Sequence, residues 1–204
     1  MTRRFLALGD SYTIGEGVKA SERWPVQLVR RLRAAGVDIA EGEIVATTGW
    51  TTEELLEAIE RRSFEESYDL VTLLIGVNDQ YRGWDVERFL TGFRELLGRA
   101  LSLAGNRAAR VVVLSIPDWS VTPFGARDPR GPAAIAAELD RFNAAAQAEA
   151  KSVGAAFVDI TSCSRSASVD SSLLTADELH PSGTMYELWA EAALPAARQA
   201  LSEA

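Results

Sequence analysis

The chain has 204 residues, 47% hydrophobic and 25% charged, with 29 acidic against 21 basic side chains and a net charge of −8; this is the profile of one globular domain over residues 1–204, whose core buries roughly 70% of the surface of the unfolded chain. The negative balance argues against a nucleic-acid partner, and a single cysteine, Cys163, excludes an internal disulfide. No apolar run is long enough to span a bilayer and the residues Phe5 to Gly9 are too few for a signal segment, so the reading is a cytoplasmic chain with no membrane partner, as it would also be for a chain whose leader had been removed.

In chain order, the apolar runs are "RFLALG" (4–9), "GEIVAT" (42–47), "LVTLLIG" (70–76), "RVVVLSI" (110–116) and "AAFVDI" (155–160). They are continuous rather than alternating, as strands of a parallel sheet covered on both faces are. Helical patterns follow at 24–35, 52–62, 85–104 and 132–153, with a last one at 182–202. Arg30, Arg31 and Arg33 in the first of these read as a solvated helix face. Thr51 and Glu54 make a capping box at the start of the second. The segment 117–132 reads as the longest without regular structure, and loops of that length are more often functional than idle. This alternation, with right-handed crossovers, predicts an α/β fold: a three-layer α/β/α sandwich of about five parallel strands in a flavodoxin-like order.

Ligands of such sheets bind beyond the carboxyl ends of the strands. There the chain places Gly9-Asp10-Ser11, Thr48-Gly49-Trp50, Gly76-Val77-Asn78-Asp79 and Pro117-Asp118-Trp119, and beyond the fifth strand "DELHP" (177–181) with His180, the only histidine. Ser11 alone reads more readily as turn and helix-cap chemistry, because a serine hydroxyl becomes a nucleophile only beside a base. His180 is the one candidate base of the usual type. Asp177, three residues earlier, would share its side on a single helical turn and could orient the imidazole. Pro181 suits the first turn of the final helix. Gly49 and Asn78 are candidate donors to a developing oxyanion, and both are also ordinary turn residues.

Four blocks in this order, "GDSY", "TTGWTTEEL", "GVND" and "DELHP", resemble those of the SGNH hydrolases, also called the GDSL esterase/lipase family. Ser11, Gly49, Asn78 and His180 match the residues behind the name. The resemblance implies an esterase in which Ser11 is the nucleophile, His180 the base and Asp177 its orienting acid. It also implies an oxyanion hole from the Ser11 and Gly49 N–H groups and the Asn78 amide. Tyr12 stands where the family name has leucine. On this reading Asp10 holds the turn at Ser11 through the neighbouring backbone and takes no part in the chemistry.

Two non-catalytic alternatives are weaker. "GEGVKA" (15–20) fits a nucleotide-binding string but does not leave the first strand directly. A domain that only binds acylated ligands would not need every catalytic group. One histidine and one distant cysteine make no metal set, so neither metal nor cofactor is expected. Trp50, Tyr81, Trp84, Trp119 and Phe124 lie in or near the strand-end loops, where they would wall a pocket or pack into the core. A mean hydropathy of −0.02 and the absence of a free amphipathic segment speak against a lipase surface. The expected partner is a small-molecule ester with an acetyl to butyryl group, a carbohydrate acetate among them. A lysophospholipase or thioesterase acting on longer chains is the alternative. Oligomeric state is not legible.

Overall fold

The computed structural model describes residues 2–64 and 67–202. The chain opens with β1 (Phe5–Gly9), the single-turn helix α1 (Ser11–Ile14) and α2 (Trp24–Ala34), then β2 (Glu43–Ala46) and α3 (Thr52–Glu60). β3 (Leu70–Leu74) leads into α4 (Val77–Tyr81) and α5 (Val86–Leu103). β4 (Val111–Leu114) is followed by α6 (Pro123–Ala126) and α7 (Pro132–Ser152). β5 (Ala156–Val158), α8 (Thr161–Ser164) and α9 (Gly183–Ser202) complete the order.

The strands form one five-stranded sheet, ordered β2-β1-β3-β4-β5, in which every neighbouring pair is parallel. Every residue of β1, β3 and β4 is buried, as their unbroken apolar runs require. Helices cover both faces: α2 packs against α9, while α3, α5 and α7 pack in a row. Trp24, Tyr186 and Trp189 are fully buried in the first layer. In the second, Phe89 of α5 stacks on Phe142 of α7 with ring centroids 4.8 Å apart. Side chains of this size stabilise the fold by roughly 1.5–3 kcal/mol each through burial.

The sheet order reverses at β1, which lies between β2 and β3, so the loops leaving these strands diverge there and open a crevice. The register makes this crevice compact. Gly9 lies opposite both Ala46 and Leu74, so three strands end level and the residues after them emerge side by side. Gly9 itself must lack a side chain, since a Cβ there would sit 2.2 Å from Thr13 Oγ1 and 2.5 Å from the Leu74 carbonyl oxygen.

The five long helices begin and end within two residues of their expected limits. Three local expectations are corrected. Segment 117–132 is not irregular throughout, because Asp118 accepts from the Ser120 N–H to hold a 3-10 turn and Thr122 caps α6 with Pro123 at its first position. Pro181 lies outside the final helix, which starts at Gly183, and pairs instead with Leu174 in an antiparallel bridge. Residues 177–180 are a turn, not a helical one. Among the described residues no helix is long and apolar enough to cross a membrane.

Candidate active site

At the end of β1 the chain turns sharply, and Asp10 Oδ1 accepts the Tyr12 N–H at 3.0 Å, capping α1. Ser11 is therefore the first residue of that short helix. Its N–H has no intrahelical carbonyl to bond, as holds for any first helical position. Asp10 is 1% exposed, and among the described residues nothing bonds its Oδ2. Burial in this setting pushes its carboxyl up to about 8.

The second component comes from the opposite end of the chain. His180 Nε2 lies 3.0 Å from Ser11 Oγ, a contact between residues 169 positions apart. His180 Nδ1 lies 2.6 Å from Asp177 Oδ2. The turn that joins these two residues is built around Asp177, whose Oδ1 accepts from the Thr175 hydroxyl at 2.7 Å and from the Leu179 and His180 N–H groups at 2.9 Å. Glu178 adopts φ +62° to complete the turn. The Thr175 N–H in turn donates to the His180 carbonyl at 2.8 Å. Burial of Asp177 acts to raise its carboxyl, but the hydrogen bonds from the His180 ring, Thr175 and the two backbone N–H groups outweigh it and hold the group well below the usual carboxylate range. An ionised Asp177 favours the tautomer protonated at Nδ1. That leaves the Nε2 lone pair facing the Ser11 hydroxyl.

The third component is the loop after β2. Gly49 has φ +86°, a left-handed conformation that favours glycine, and a Cβ there would meet nothing within 4 Å. Thr51 caps α3 through the expected box with Glu54. Asn78, in the first turn of α4, donates its side-chain amide to the Trp50 carbonyl at 2.9 Å. One amide hydrogen is thus used to orient the group and the other is left over. Behind it, Asp79 is 0% exposed and accepts from the Thr52 N–H at 3.0 Å and the Thr52 hydroxyl at 2.5 Å. Burial pushes its carboxyl up to about 6.

Ser11, Gly49, Asn78 and His180 line one cavity of about 170 Å³, and Tyr81, Trp119 and Phe124 form its wall. The three aromatic rings contact one another at centroid distances of 5.6 to 6.3 Å. Trp119 is fixed by its indole N–H, which donates to Gln80 at 2.9 Å. Two other expected wall residues do not take part. The Trp50 side chain packs against the core, so this residue meets the site only through its carbonyl. Trp84 lies under the Arg88 guanidinium, 3.6 Å from its ring centroid, where the cation covers the ring face. Val77 and Leu179 also line the cavity and were not singled out in the sequence. Each adjoins a motif residue: Val77 precedes Asn78, and Leu179 precedes His180. Tyr12, buried beside the serine, packs its ring 5.7 Å from that of His180 and edge-on to Trp189.

The sequence model of the GDSL-like lipase/acylhydrolase family matches residues 7–188. Among curated proteins none matches the chain at a significant level. Similar solved structures include TesA, at 22% identity and a TM-score of 0.75, covering 98% of this chain and 100% of that one. The acetylxylan esterase Axe2 from Geobacillus stearothermophilus is 19% identical with a TM-score of 0.72, covering 96% and 94%. The lipase/acylhydrolase from Enterococcus faecalis is 24% identical with a TM-score of 0.71, covering 95% and 94%.

Proposed function

Because the chain belongs to the GDSL-like lipase/acylhydrolase family and is a serine hydrolase, we propose that it cleaves esters of short acyl groups, acetyl to butyryl, through an acyl-enzyme on Ser11, with acetylated carbohydrates as the substrate class. The observation that carries this reading is the run from Asp177 to His180 to Ser11, with distances of 2.6 and 3.0 Å, at an apolar cavity of about 170 Å³.

The reaction follows from this arrangement. Ser11 Oγ attacks the ester carbonyl as its proton passes to His180 Nε2, and the C=O π electrons move to the oxygen. That oxyanion is stabilised by the Ser11 and Gly49 N–H groups and the Asn78 amide. Collapse of the intermediate breaks the ester C–O bond, and the imidazolium returns its proton to the leaving alkoxide. A water molecule repeats the sequence on the acyl-enzyme, releasing the acid and restoring Ser11. Asp177, ionised throughout, balances the imidazolium.

Cavity size supports the short acyl group. About 170 Å³ beside Ser11 has room for a carbonyl and a few carbons, with the Tyr81, Trp119 and Phe124 rings along one side. That the similar Axe2 is an acetylxylan esterase is consistent with a carbohydrate acetate as substrate. Two measurements test the reading. A fluorophosphonate is expected to label the native protein once and to leave Ser11→Ala unlabelled; labelling of the variant at the native rate would place the nucleophile elsewhere. Across p-nitrophenyl esters, kcat/KM is expected to fall steeply beyond about four acyl carbons, since each methylene that does not fit is worth about 1–3 kcal/mol. A value that keeps rising to decanoate would favour a lysophospholipase or thioesterase.

A further inference from the structure

The Gly49 loop is anchored on either side, by the Trp50 side chain packed against the core and by the buried Thr51, but Gly49 itself is unpacked. Its glycine has a left-handed φ and open space where a Cβ would stand, so little steric resistance opposes a rotation of its peptides. Among the described residues its internal backbone support is one long turn bond, from the Trp50 N–H to the Thr47 carbonyl at 3.3 Å. The Thr48 hydroxyl donates to the Glu16 carboxylate, while the carbonyls of Gly49 and Trp50 are held from α4 and the residue that ends that helix. Arg82, whose N–H closes α4 onto the Asn78 carbonyl at 3.0 Å, donates Nη2 to the Gly49 carbonyl at 2.7 Å. Asn78 donates to the next carbonyl, that of Trp50, at 2.9 Å. Residues 78 and 82 stand at i and i+4 on one helix face, which is why they reach successive carbonyls of the same loop. The Arg82 guanidinium also meets Glu54 Oε2 at 3.1 Å, and that same oxygen accepts the Thr51 N–H at 2.8 Å.

We propose that Arg82 is a positioning residue for ester hydrolysis: by holding the Gly49 carbonyl and the Glu54 carboxylate together, it fixes the 49–50 peptide plane and so limits the swing of the adjoining 48–49 peptide, whose Gly49 N–H donates to the oxyanion. The inference rests on the Ser11 reading above. Arginine suits the task because its guanidinium presents several donors in fixed directions, whereas the three donors of a lysine ammonium rotate freely and fix no direction. The Arg82 and Glu54 side chains are 43% and 41% exposed, so their ion pair adds little to global stability. Its effect is therefore expected in the transition state, where a donor misplaced by about 1 Å can cost on the order of a hundredfold.

The test is steady-state kinetics on a short-chain p-nitrophenyl ester with Arg82→Ala, Arg82→Gln and Arg82→Lys, beside fluorophosphonate labelling rates and thermal midpoints. Arg82→Ala and Arg82→Gln are expected to lower kcat and the labelling rate about 10- to 100-fold, with KM within about twofold and the midpoint unchanged, and Arg82→Lys to recover part of the loss. A kcat within about twofold of wild type overturns the proposal. So does a raised KM at constant kcat, which would make Arg82 a substrate contact, and so does a loss of activity in all three variants that tracks a fall in midpoint. Failure of the Ser11 reading is seen separately, as undiminished labelling and activity in Ser11→Ala.

Discussion

Asp10 and Asp177 both adjoin the Ser11–His180 pair, one through the chain and the other through space, and their environments drive them in opposite directions. Asp10 is 1% exposed, has an oxygen without a partner among the described residues, and is pushed up to about 8. Asp177 has a side chain 43% exposed and is held well below the usual range because four donors converge on it. Burial alone makes a carboxylate hard to ionise, while convergent donors keep one ionised even at the surface. On the proposed mechanism the orienting role falls to the less sheltered group, Asp177, and Asp10 caps the short helix that begins at Ser11.

The sharpest way to break this assignment starts with its shared element. His180→Ala is expected to lower kcat by about a millionfold, the scale seen when a serine hydrolase loses its base, in a pre-steady-state or long-incubation assay of ester cleavage. Replacing Asp177 by Asn comes next, at about ten-thousandfold, because the amide favours the imidazole tautomer with Nε2 protonated toward Ser11. Near-native rates in both variants would remove the DELHP turn from the mechanism.

Asn78→Ala probes the donor side. A loss of about a hundred- to a thousandfold in kcat, roughly 3 to 4 kcal/mol of transition-state stabilisation, is expected with KM little changed. A wild-type kcat in this variant would take Asn78 out of the oxyanion hole.

Asp10→Asn carries the smallest kinetic effect, with kcat within about tenfold of wild type, since the amide oxygen still caps α1. Its signature is in stability against pH. A carboxyl whose folded value is raised from its ordinary 3.8 to about 8 binds its proton more tightly in the folded state, so its stabilisation is full below pH 3.8 and is lost as pH rises toward 8. The upper bound is on the order of 5 kcal/mol. Asp79 acts in the same sense but is complete by about pH 6, which leaves the interval from there to pH 8 to Asp10. Asp177, with a depressed value, does the reverse: its stabilisation is present above the ordinary carboxylate range and is lost as pH falls below it. Urea midpoints at about pH 6.5 and pH 8 should therefore drop in wild type and stay level in Asp10→Asn. Parallel curves for the two proteins would mean that Asp10 is ionised throughout.

Much of this was legible in the residue order. Continuous apolar runs reveal buried strands and 3.6-residue periodicity reveals helices, because both patterns are local and repeat over many positions. The sequence marked Ser11, Gly49, Asn78 and His180 through short motifs placed after strands, and the parallel register brings them to one cavity. The aromatic residues were ambiguous for a stated reason. A tryptophan near a strand end packs into the core or faces a pocket according to its neighbours, so Trp119 lines the cavity while Trp84 lies under Arg88 and Trp50 against the core. Composition and local pattern thus suffice for the fold class, the strand count and the candidate residues. They do not reach the protonation of Asp10, the turn that Asp177 organises, or the fork by which Arg82 holds Gly49. The Arg82 fork and the His180–Ser11 contact depend on distances of 2.7 and 3.0 Å between groups 33 and 169 positions apart, and such distances exist only once the helices have packed on the sheet.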